Sequence, residues 1–597
     1  MPLNKLPKKP KIFIPLILIA LIGLTIFTYV SCLASGLVEW DDQFQITQNL
    51  DIKQLDVHSL KKFFSNFYLG MYQPLTTLSF ALEYKFWHSA PPWLHLDNLL
   101  LHLLNIILVY WLTVRLFGRR LIALIAASLF AINPLNVETV AWVSARSNLL
   151  AGTFFLGSVL AYTFYQRKPK PTAYCLALGF FLASLFSKVA GVALPVIIIV
   201  LDYYRGRRFT KLVWLEKLPF FVISIIFGLI AIQSRGLASL LPATAYTWWH
   251  KLLFVPYSFI FYLKKLILPI NLSSYYGFPE LDNGWLPTIY QLSAIIFIIL
   301  LILLWRYRAN KLWLWLSAWF CLLIAPTLQV KIFSTTITAD RYAYLASLAY
   351  FWALGLLLVW LWDKFKRLRV WLIFFLISFV LLFACLARIR TWVWFDSWSL
   401  WNDVIKQDPK IASVYNNMGN AESGQGNLDK ALEYYNKALA LDPKDPFTYN
   451  NIGSAIVKNH GDNLKALNYY NQAIKLNGHE PLSYYNRGNV WFNLKETKAA
   501  LLDYQQAVNL SPANNEYYYL YVGSLARAQY EMNLLPEAIA SYNKAIDLYA
   551  FNLAYYYRGL AKIKLKQTID GCQDLRTADN LKYPEAAEAL KKYCANN

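Results

Sequence analysis

The sequence predicts an all-α protein in two parts, a polytopic membrane domain of about eleven transmembrane helices followed by a superhelix of helical repeats. Of its 597 residues, 57% are hydrophobic and only 15% are charged, which is too apolar for an ordinary soluble chain. Beyond residue 411 the composition becomes polar, and a glycine recurs at intervals of 34, 35, 35 and 36 residues. We therefore expect a membrane domain at 1–390, a linker at 391–411 and a repeat domain at 412–597.

Apolar runs long enough to cross about 30 Å of hydrocarbon recur through the first part. We place the predicted spans near residues 12–35, 95–116, 121–133, 147–165, 172–187, 189–204, 215–233, 287–305, 311–330, 343–362 and 370–387. The first run lacks a small-residue cleavage site, so we expect it to stay as an anchor. Segment 248–270 contains Pro256 and the Lys264/Lys265 pair, and we expect it to lie in the outer interface as a helix.

Basic clusters predict the orientation. They lie at alternate turns between the spans, at residues 3–11, 115–120, 166–171, 205–208, 306–311 and 364–369. Because positively charged loops stay in the cytoplasm, the N-terminus is expected inside and the repeats outside, in a plasma (inner) membrane. Residues 412–597 hold 19 basic and 18 acidic side chains, so +21 of the net charge of +22 falls on residues 1–411. The charge therefore indicates membrane topology and does not indicate nucleic-acid binding.

Polar side chains gather at the outer ends of the predicted spans. Asp41 and Asp42 stand next to each other just after the first span, in WDDQF. The others are Asn133 to Glu138, Arg146, Lys188, Asp340 and Arg341. A charge in the bilayer centre costs about 2.5 kcal/mol or more, so such residues usually pair or line a cavity. From the residues alone, adjacent carboxylates on a loop can equally be solvated, or one can cap a helix.

The polar second part has a repeat pattern. VYNNMGNAESGQGNLDKALEYYNKALALDP, residues 414–443, carries Gly419, Ala431, Tyr435, Ala438 and Pro443 at tetratricopeptide-repeat spacing. About five such units predict a superhelix in which small residues let paired helices approach closely. The pattern does not identify a ligand, so a scaffold role is the plainest interpretation. Cys572 and Cys594 near the end are expected either to bridge or to be two buried thiols.

The order of motifs in the membrane part resembles the transmembrane and tetratricopeptide repeat-containing O-mannosyltransferases, which are of the glycosyltransferase C type. The matching stretches are WDDQFQITQNLDI (40–52), YQPLTTLSFALEYKFW (72–87), WLHLDNLLLHLLN (93–105), NPLNVETVAWVSARSNLLA (133–151), SKVAGVALPVIIIVLDYY (187–204) and DRYAYLASLAY (340–350). With the repeats, the resemblance covers nearly the whole chain. It departs from the family pattern at Asn133, Gln73, Val189 and Asp340, where the family has His, Arg, Glu and Glu.

The resemblance implies an inverting transfer of a sugar, with mannose expected, from a polyprenyl-phosphate carrier to Ser/Thr hydroxyls of exported proteins. Asp41 or Asp42 is then the carboxylate that takes the hydroxyl proton. Arg341, Arg146 and Lys188 are expected to bind the donor phosphate.

The remaining roles follow from the same resemblance. Glu138 and Asp340 are expected to orient the acceptor or another polar group. A monophosphate leaving group needs no divalent metal, and the scattered histidines lack metal-ligand spacing, so the donor lipid is the only expected small-molecule requirement. The expected partners are this donor, the membrane and an exported protein or peptide held by the repeats. Two alternatives stay open: the same chemistry on a surface glycan or lipid, or a non-catalytic membrane scaffold that assembles partners.

Overall fold

The computed structural model describes residues 13–236, 246–329, 336–511, 517–549 and 551–594. The chain forms two compact units, residues 1–409 and 410–597. The predicted basic cluster at 3–11 lies outside the described residues.

Helices dominate the first unit. Its α-helices are α1 (Phe13–Tyr29), α2 (Val57–Ser65), α3 (Pro74–Trp87), α4 (Pro91–Phe117), α5 (Arg120–Ile132), α6 (Val137–Ala141), α7 (Arg146–Arg167), α8 (Pro171–Ser187) and α9 (Leu194–Tyr204). They continue with α10 (Lys211–Leu215), α11 (Leu218–Gly236), α12 (Trp248–Ile267), α13 (Thr288–Arg306), α14 (Lys311–Ile324), α15 (Leu348–Lys364), α16 (Arg369–Thr391) and α17 (Ser397–Gln407). Two short antiparallel strands, β1 (Tyr276–Gly277) and β2 (Thr336–Thr338), pair with each other.

Several of these helices are suited to a membrane. Among the described residues, six helical segments are long and apolar enough to cross one, or seven if a bent pair counts as a span. The six are Pro15–Ala34, Pro91–Phe117, Val143–Arg167, Lys211–Ser234, Thr288–Arg306 and Lys366–Trp394. The predicted number of eleven is therefore not confirmed, because the other predicted spans coincide with shorter or interrupted helices such as α8, α9 and α14. The chain is a multi-pass membrane protein.

Helix breaks in the first unit bring polar residues to the ends of apolar helices. α5 stops at Asn133, and Pro134 starts a new turn, so the two segments meet at a bend of 52°. The Asn133 Oδ1 caps this turn by accepting the Leu135 N–H at 2.9 Å. A second break follows α8, where Lys188 has an extended backbone before the 3-10 turn Val189–Ala193. Glu138 lies in the short helix after the first break, and Lys188 lies at the second break.

The segment predicted to lie in the interface is the helix α12, which has Pro256 inside it. Lys265 near its end is mostly buried and donates to the carbonyl oxygens of Ile270 and Asn271 at 2.8 Å and 2.6 Å. The pair of lysines is therefore split, because Lys264 is exposed while Lys265 closes the following turn.

The stretch expected to be a linker is part of the first unit. Asp396 caps α17 by accepting the Ser399 N–H at 2.7 Å. Trp394 stacks on Trp142 with ring centroids 5.5 Å apart, and Trp401 contacts Trp40 at 5.2 Å. The linker prediction for 391–411 is corrected accordingly. The buried indoles of Trp394 and Trp401 pack most of this segment against the first unit, and the two units divide after residue 409.

The second unit is built from paired helices. They are α18 (Ala412–Gly424), α19 (Leu428–Leu441), α20 (Pro446–His460), α21 (Asn463–Leu476), α22 (Pro481–Asn493), α23 (Thr497–Leu510), α24 (Tyr518–Glu531), α25 (Leu535–Leu548), α26 (Asn552–Lys564), α27 (Thr568–Asn580) and α28 (Ala586–Cys594). In four of the five pairs the recurring glycine lies against the second helix of its own pair and permits close contact. A Cβ on Gly453 would lie 2.8 Å from the Tyr470 ring, which leaves no room for a larger residue. This confirms the predicted all-α class with repeats at the C-terminus.

The last helix, α28, is linked covalently to the fifth helix pair. Cys572 in α27 and Cys594 at the end of α28 form a disulfide across a sequence separation of 22 residues. Of the two alternatives for these cysteines, the structure has the bridge, which ties the final helix onto the fifth pair.

A row of amide side chains joins the first helices of successive pairs in the second unit. The Asn451 Nδ2 donates to Oδ1 of Asn416 and of Asn420, both at 3.0 Å. In the next pair, the Asn486 Nδ2 donates to the Asn450 Oδ1 at 3.0 Å. All but Asn450 are partly exposed, so the row offers amide donors and acceptors at the surface.

Candidate active site

A cavity of about 370 Å³ lies in the first unit. It collects residues from several helices, loops and helix breaks that are distant in sequence. The polar lining residues include Asp41, Gln45, Tyr72, Gln73, Ser144, Asn148, Lys188, Arg341 and Tyr342. Three of the predicted site residues, Asp41, Lys188 and Arg341, therefore face one space.

The acidic pair lies in a helical turn. The Gln45 N–H donates to the Asp41 carbonyl at 2.9 Å, and a π-helical turn, Gln43–Thr47, follows. This helical turn separates the two neighbouring side chains by about 100° around the helix axis. The two carboxylates consequently have different surroundings.

Asp42 is a buried anchor. Its Oδ2 accepts the Val38 N–H at 3.0 Å, and its Oδ1 accepts both the N–H and the hydroxyl of Ser144, at 3.0 Å and 2.5 Å. Only 1% of the residue is exposed. Burial raises the pKa of this carboxyl to about 6, against the lowering effect of these hydrogen bonds. These contacts join the first loop to the start of α7 and use the lone pairs that a base would need.

Asp41 is the carboxylate that faces the cavity. Burial raises its pKa, while the positive charges of Arg341 and Lys188 pull the pKa back down. A general base works best when its pKa is closer to the operating pH than that of an exposed aspartate. Of the two acidic residues, Asp41 is thus the one placed to exchange a proton with a molecule in the cavity.

Arg341 is held by Glu138 and by aromatic rings. Its backbone N–H donates to the Glu138 Oε2 at 2.9 Å, and its guanidinium pairs with Oε1 of the same carboxylate. The guanidinium carbon lies 5.1 Å from the Trp142 ring centroid and 5.0 Å from that of Tyr342. Such packing fixes the plane of the guanidinium and its orientation relative to the cavity.

Glu138 pairs with a cation. The residue is buried and is not among the cavity-lining residues, and its carboxylate pairs with the guanidinium of Arg341. Its predicted role, to orient the acceptor or another polar group, stays a prediction. Lys188 contributes a second cation from the end of α8, with its Nζ 6.0 Å from the Tyr342 ring centroid. Because the Glu138 carboxylate pairs with Arg341, the formal charge of Arg341, Lys188 and Glu138 together is +1.

Arg146 has a different position from the predicted one. Its Nη1 lies 2.5 Å from the Glu83 Oε2, its Nε donates to the Asn98 Oδ1 at 2.9 Å, and only 1% of the residue is exposed. Its Nη2 donates to the Leu94 carbonyl at 2.7 Å. Because these partners occupy the guanidinium and Arg146 is not among the lining residues, we remove it from the phosphate-binding set.

Asp340 is also set back from the cavity. Its Oδ1 accepts the Tyr276 hydroxyl at 3.0 Å, and the residue is 2% exposed. Burial, and next the negative charge of Glu138, raise its pKa to about 7. It fixes strand β1 beside the Arg341 backbone, so any orienting role acts through the chain.

A polar stripe on α4 supports the site, and the sequence reasoning did not recognise it. His95, Asn98, His102 and Asn105 follow one another at spacings of three and four residues and are all buried, so they share one helix face. The Asn98 Nδ2 donates to the Trp142 carbonyl at 3.0 Å, which satisfies backbone freed by a helix break. The signal was present in HLDNLLLHLLN, where polar residues interrupt an apolar run with helical periodicity.

The middle of this stripe positions an aromatic residue of the cavity wall. A carbonyl oxygen can only accept, so Nε2 of His102 donates to the Ala131 carbonyl at 3.0 Å. Its Nδ1 then accepts the Tyr344 hydroxyl at 2.8 Å. Asn105 donates to the same hydroxyl oxygen at 3.1 Å. Tyr344, which lines the cavity, is therefore held in a single orientation.

Within the described part of the chain, His, Cys, Asp and Glu form no group of three or more that could hold a metal ion.

Comparisons with known proteins give results for both units. Tetratricopeptide-repeat family models match residues 412–445 and 458–515. Over 482 residues the chain is 26% identical to the human protein O-mannosyl-transferase TMTC3, covering 70% of this chain and 50% of the relative. The protein O-mannosyl-transferase F38B6.6 of Caenorhabditis elegans is 24% identical over 71% of this chain and 62% of its own length. A shorter match, 34% identical over 179 residues, covers 21% of the protein O-mannosyl-transferase tmtc2 of Xenopus laevis.

Solved structures match the repeat region. YrrB, described as a TPR protein with an unusual peptide-binding site, is 23% identical, with a TM-score of 0.28, and the match covers 32% of this chain and 97% of YrrB. MamA is 24% identical, with a TM-score of 0.26, over 31% of this chain and 97% of its own. Among the curated relatives, by contrast, the chain spans only 50% of the human protein and 62% of the nematode protein.

Proposed function

We propose, on the premise that the chain fits the transmembrane and tetratricopeptide repeat-containing O-mannosyltransferase family, that it is an inverting glycosyltransferase. The donor is mannose on a polyprenyl phosphate, and the acceptor is a Ser or Thr hydroxyl of an exported protein. One observation carries the proposal: a carboxylate, Asp41, and two cations, Lys188 and Arg341, line the same cavity.

The chemistry assigns a task to each of these groups. The acceptor hydroxyl attacks the anomeric carbon and forms the new C–O bond, while the bond from that carbon to the phosphate oxygen breaks with inversion. Asp41 takes the hydroxyl proton as the bond forms. Lys188 and the guanidinium of Arg341 stabilise the negative charge that grows on the leaving phosphate.

The surroundings of the cavity suit this division. Arg341 needs a fixed fork to bind phosphate oxygens, and Glu138 with the Trp142 and Tyr342 rings supplies it. The raised pKa of Asp41 makes the carboxylate a better proton acceptor than an exposed aspartate. The three hydrogen bonds that buried Asp42 accepts support assigning the base to Asp41 instead.

The repeats bind an extended stretch of the acceptor protein. The amide row of Asn416, Asn420, Asn450, Asn451 and Asn486 supports this, because amide side chains can donate to and accept from any peptide backbone. Binding there raises the effective concentration of the hydroxyl for transfer without requiring a sequence motif.

The N-terminus is cytoplasmic, and the repeats are extracytoplasmic, at a plasma membrane. The basic clusters at alternate loops support this orientation. The disulfide between Cys572 and Cys594 supports it independently, because disulfides persist in oxidising compartments.

The test uses the purified full chain in detergent with radiolabelled mannosyl-phosphoryl-polyprenol and an unstructured Ser/Thr-rich peptide. Label is expected to move to peptide hydroxyls from the lipid donor and not from GDP-mannose. Lys188→Gln should lower the rate about a hundredfold, while Lys264→Gln, which removes an exposed lysine outside the cavity, should leave it unchanged. If the wild type moves no label, or labels only added glycans or lipids, the proposed reaction is wrong.

A further inference from the structure

The cavity has an apolar wall as well as a charged one. Its apolar lining includes Phe155 of α7, Leu323 of α14, Pro326, and three residues of α11: Gly228, Ala231 and Ile232. A space with both cations and hydrocarbon in its wall matches a ligand that is itself amphiphilic and anionic.

Helix α11 is the part of this wall that faces the membrane. Most of its apolar surface is exposed: the exposed fractions are 60% for Ile225, 62% for Leu229 and 64% for Ile232. Only 17% of the apolar stretch within Lys211–Ser234 is buried in the protein. Ile232 both lines the cavity and has most of its side chain exposed. The cavity therefore borders an exposed apolar surface of α11, which is the kind of surface that lipid covers on a membrane span.

The same helix is tied to the segment that carries the lysine. The Ser224 hydroxyl on α11 donates to the Val192 carbonyl at 2.6 Å. Val192 belongs to the turn Val189–Ala193, which begins immediately after Lys188. This apolar border and the cationic end are thus adjoining parts of one structure.

Small residues line the cavity at this border. An added Cβ on Gly228 would meet no heavy atom within 4 Å, although this glycine lines the cavity. Ala231 follows three residues later on the same face of the helix and also lines the cavity. In a span otherwise rich in Ile and Leu, α11 presents its smallest side chains where it borders the cavity.

The volume of the cavity limits how much of an amphiphilic ligand it can hold. The cavity volume of about 370 Å³ lies near the small end of the range for small-molecule sites, about 300 to 1,000 Å³. It can therefore hold a group of sugar-phosphate size, and a prenyl chain of undecaprenyl length has to extend beyond it.

We infer that the gap at Gly228 and Ala231 of α11 is the exit through which the hydrocarbon chain of a polyprenyl phosphate passes from the cavity into the bilayer, with the phosphate lying at Lys188 and Arg341. Gly228 is accordingly the residue that determines whether long chains are accepted. The inference rests on the donor class in the proposed function and adds the path of its lipid chain.

The test measures lipid binding to the full chain by native mass spectrometry, with undecaprenyl phosphate as the long probe and citronellyl phosphate as the short one. Gly228→Phe should weaken undecaprenyl phosphate about tenfold, because the ring displaces roughly two methylene groups from the apolar wall. It should leave citronellyl phosphate unchanged. The matched control is Gly179→Phe on α8, where an added Cβ also meets nothing within 4 Å but the residue does not line the cavity.

Equal loss of both lipids, or unchanged binding of undecaprenyl phosphate in a folded Gly228→Phe protein, would overturn the inference. If this variant does not purify as a single species, Ala231→Phe provides the same comparison. Mannose transfer by the wild type is measured in parallel. A wild type that binds lipids with the expected pattern but transfers no sugar refutes the proposed reaction while supporting the exit, and normal transfer without the pattern refutes the exit alone.

Discussion

The most informative single change is Asp42→Asn, because the structure separates the stability of this site from its chemistry. Asp42 is 1% exposed, and its carboxylate accepts hydrogen bonds from Val38 and Ser144. Burial nevertheless dominates and raises its pKa from 3.8 to about 6. The folded protein therefore binds the proton of Asp42 more tightly than the unfolded chain does.

The sign and size of the effect follow from this shift. With a raised pKa in the folded state, the contribution of Asp42 to stability is fully present below about pH 4 and is lost as the pH rises through about 6. The shift of roughly two units corresponds to about 3 kcal/mol of unfolding free energy. Asparagine cannot ionise, so Asp42→Asn should show no such loss. Relative to the wild type, the variant should become more stable by about 3 kcal/mol between pH 4 and pH 7.

The assay is unfolding of the full chain in mixed detergent, followed by tryptophan fluorescence across this pH range. Asp282→Asn, which replaces an exposed aspartate, is the control and should track the wild type. A difference between Asp42→Asn and wild type that stays constant with pH, or that falls as the pH rises, would refute the account of Asp42 as a buried carboxylate dominated by desolvation.

Three other substitutions test separate parts of the structure. Arg341→Lys should lower kcat/KM for transfer by about a hundredfold, since an ammonium cannot reproduce the planar fork; an unchanged value would remove Arg341 from the donor site. Arg146→Met should lower the free energy of unfolding by about 3 kcal/mol in a denaturation assay. This is the low end for a broken buried pair, because Glu83, whose pKa burial raises to about 8, can take up a proton. Gly453→Ala should lower the unfolding free energy of the repeats by about 1 to 3 kcal/mol, because its Cβ would lie 2.8 Å from the Tyr470 ring; a melting curve of the full chain that matches the wild type would contradict this.

The repeats could be predicted closely because their signal is local. Gly453 and its equivalents recur at a nearly constant interval, and Gly419, Gly453 and Gly488 each lie against a tyrosine of their own helix pair. The disulfide was harder to predict from the sequence. The oxidising side of the membrane made it plausible, but only the packing of α28 on α27 brings Cys572 and Cys594 together.

The spans and the linker show where local signals fail. Apolar runs identified most helices, but the structure breaks some runs into short segments: Pro134 begins a new turn just after α5, and Pro195 lies at the start of α9, so the number of crossings is not settled by hydropathy. The segment 391–411 is predicted as a linker between the span pattern and the repeat pattern. Its signal was the indole spacing of Trp394 and Trp401 with the cap at Asp396, which together indicate a packed helix.

In the candidate site, the sequence identified the right residue types but not their partners. The adjacency of Asp41 and Asp42 does not indicate which side chain is buried. Asp42 is held in the interior by hydrogen bonds from Ser144, about a hundred residues away in the sequence. Arg146 was assigned to the phosphate since Glu83 was not recognised as its partner. Long-range pairing of this kind depends on the packed fold.

The measurement that tests the central claim most directly is the single-turnover rate of mannose transfer from mannosyl-phosphoryl-polyprenol to peptide, compared between Asp41→Asn and Asp42→Asn at equal amounts of folded protein. The account predicts a loss of at least about a hundredfold for Asp41→Asn, since the general base is removed, and less than about tenfold for Asp42→Asn at neutral pH. Equal losses, or a greater loss for Asp42→Asn, would contradict the assignment of the cavity-facing carboxylate as the base.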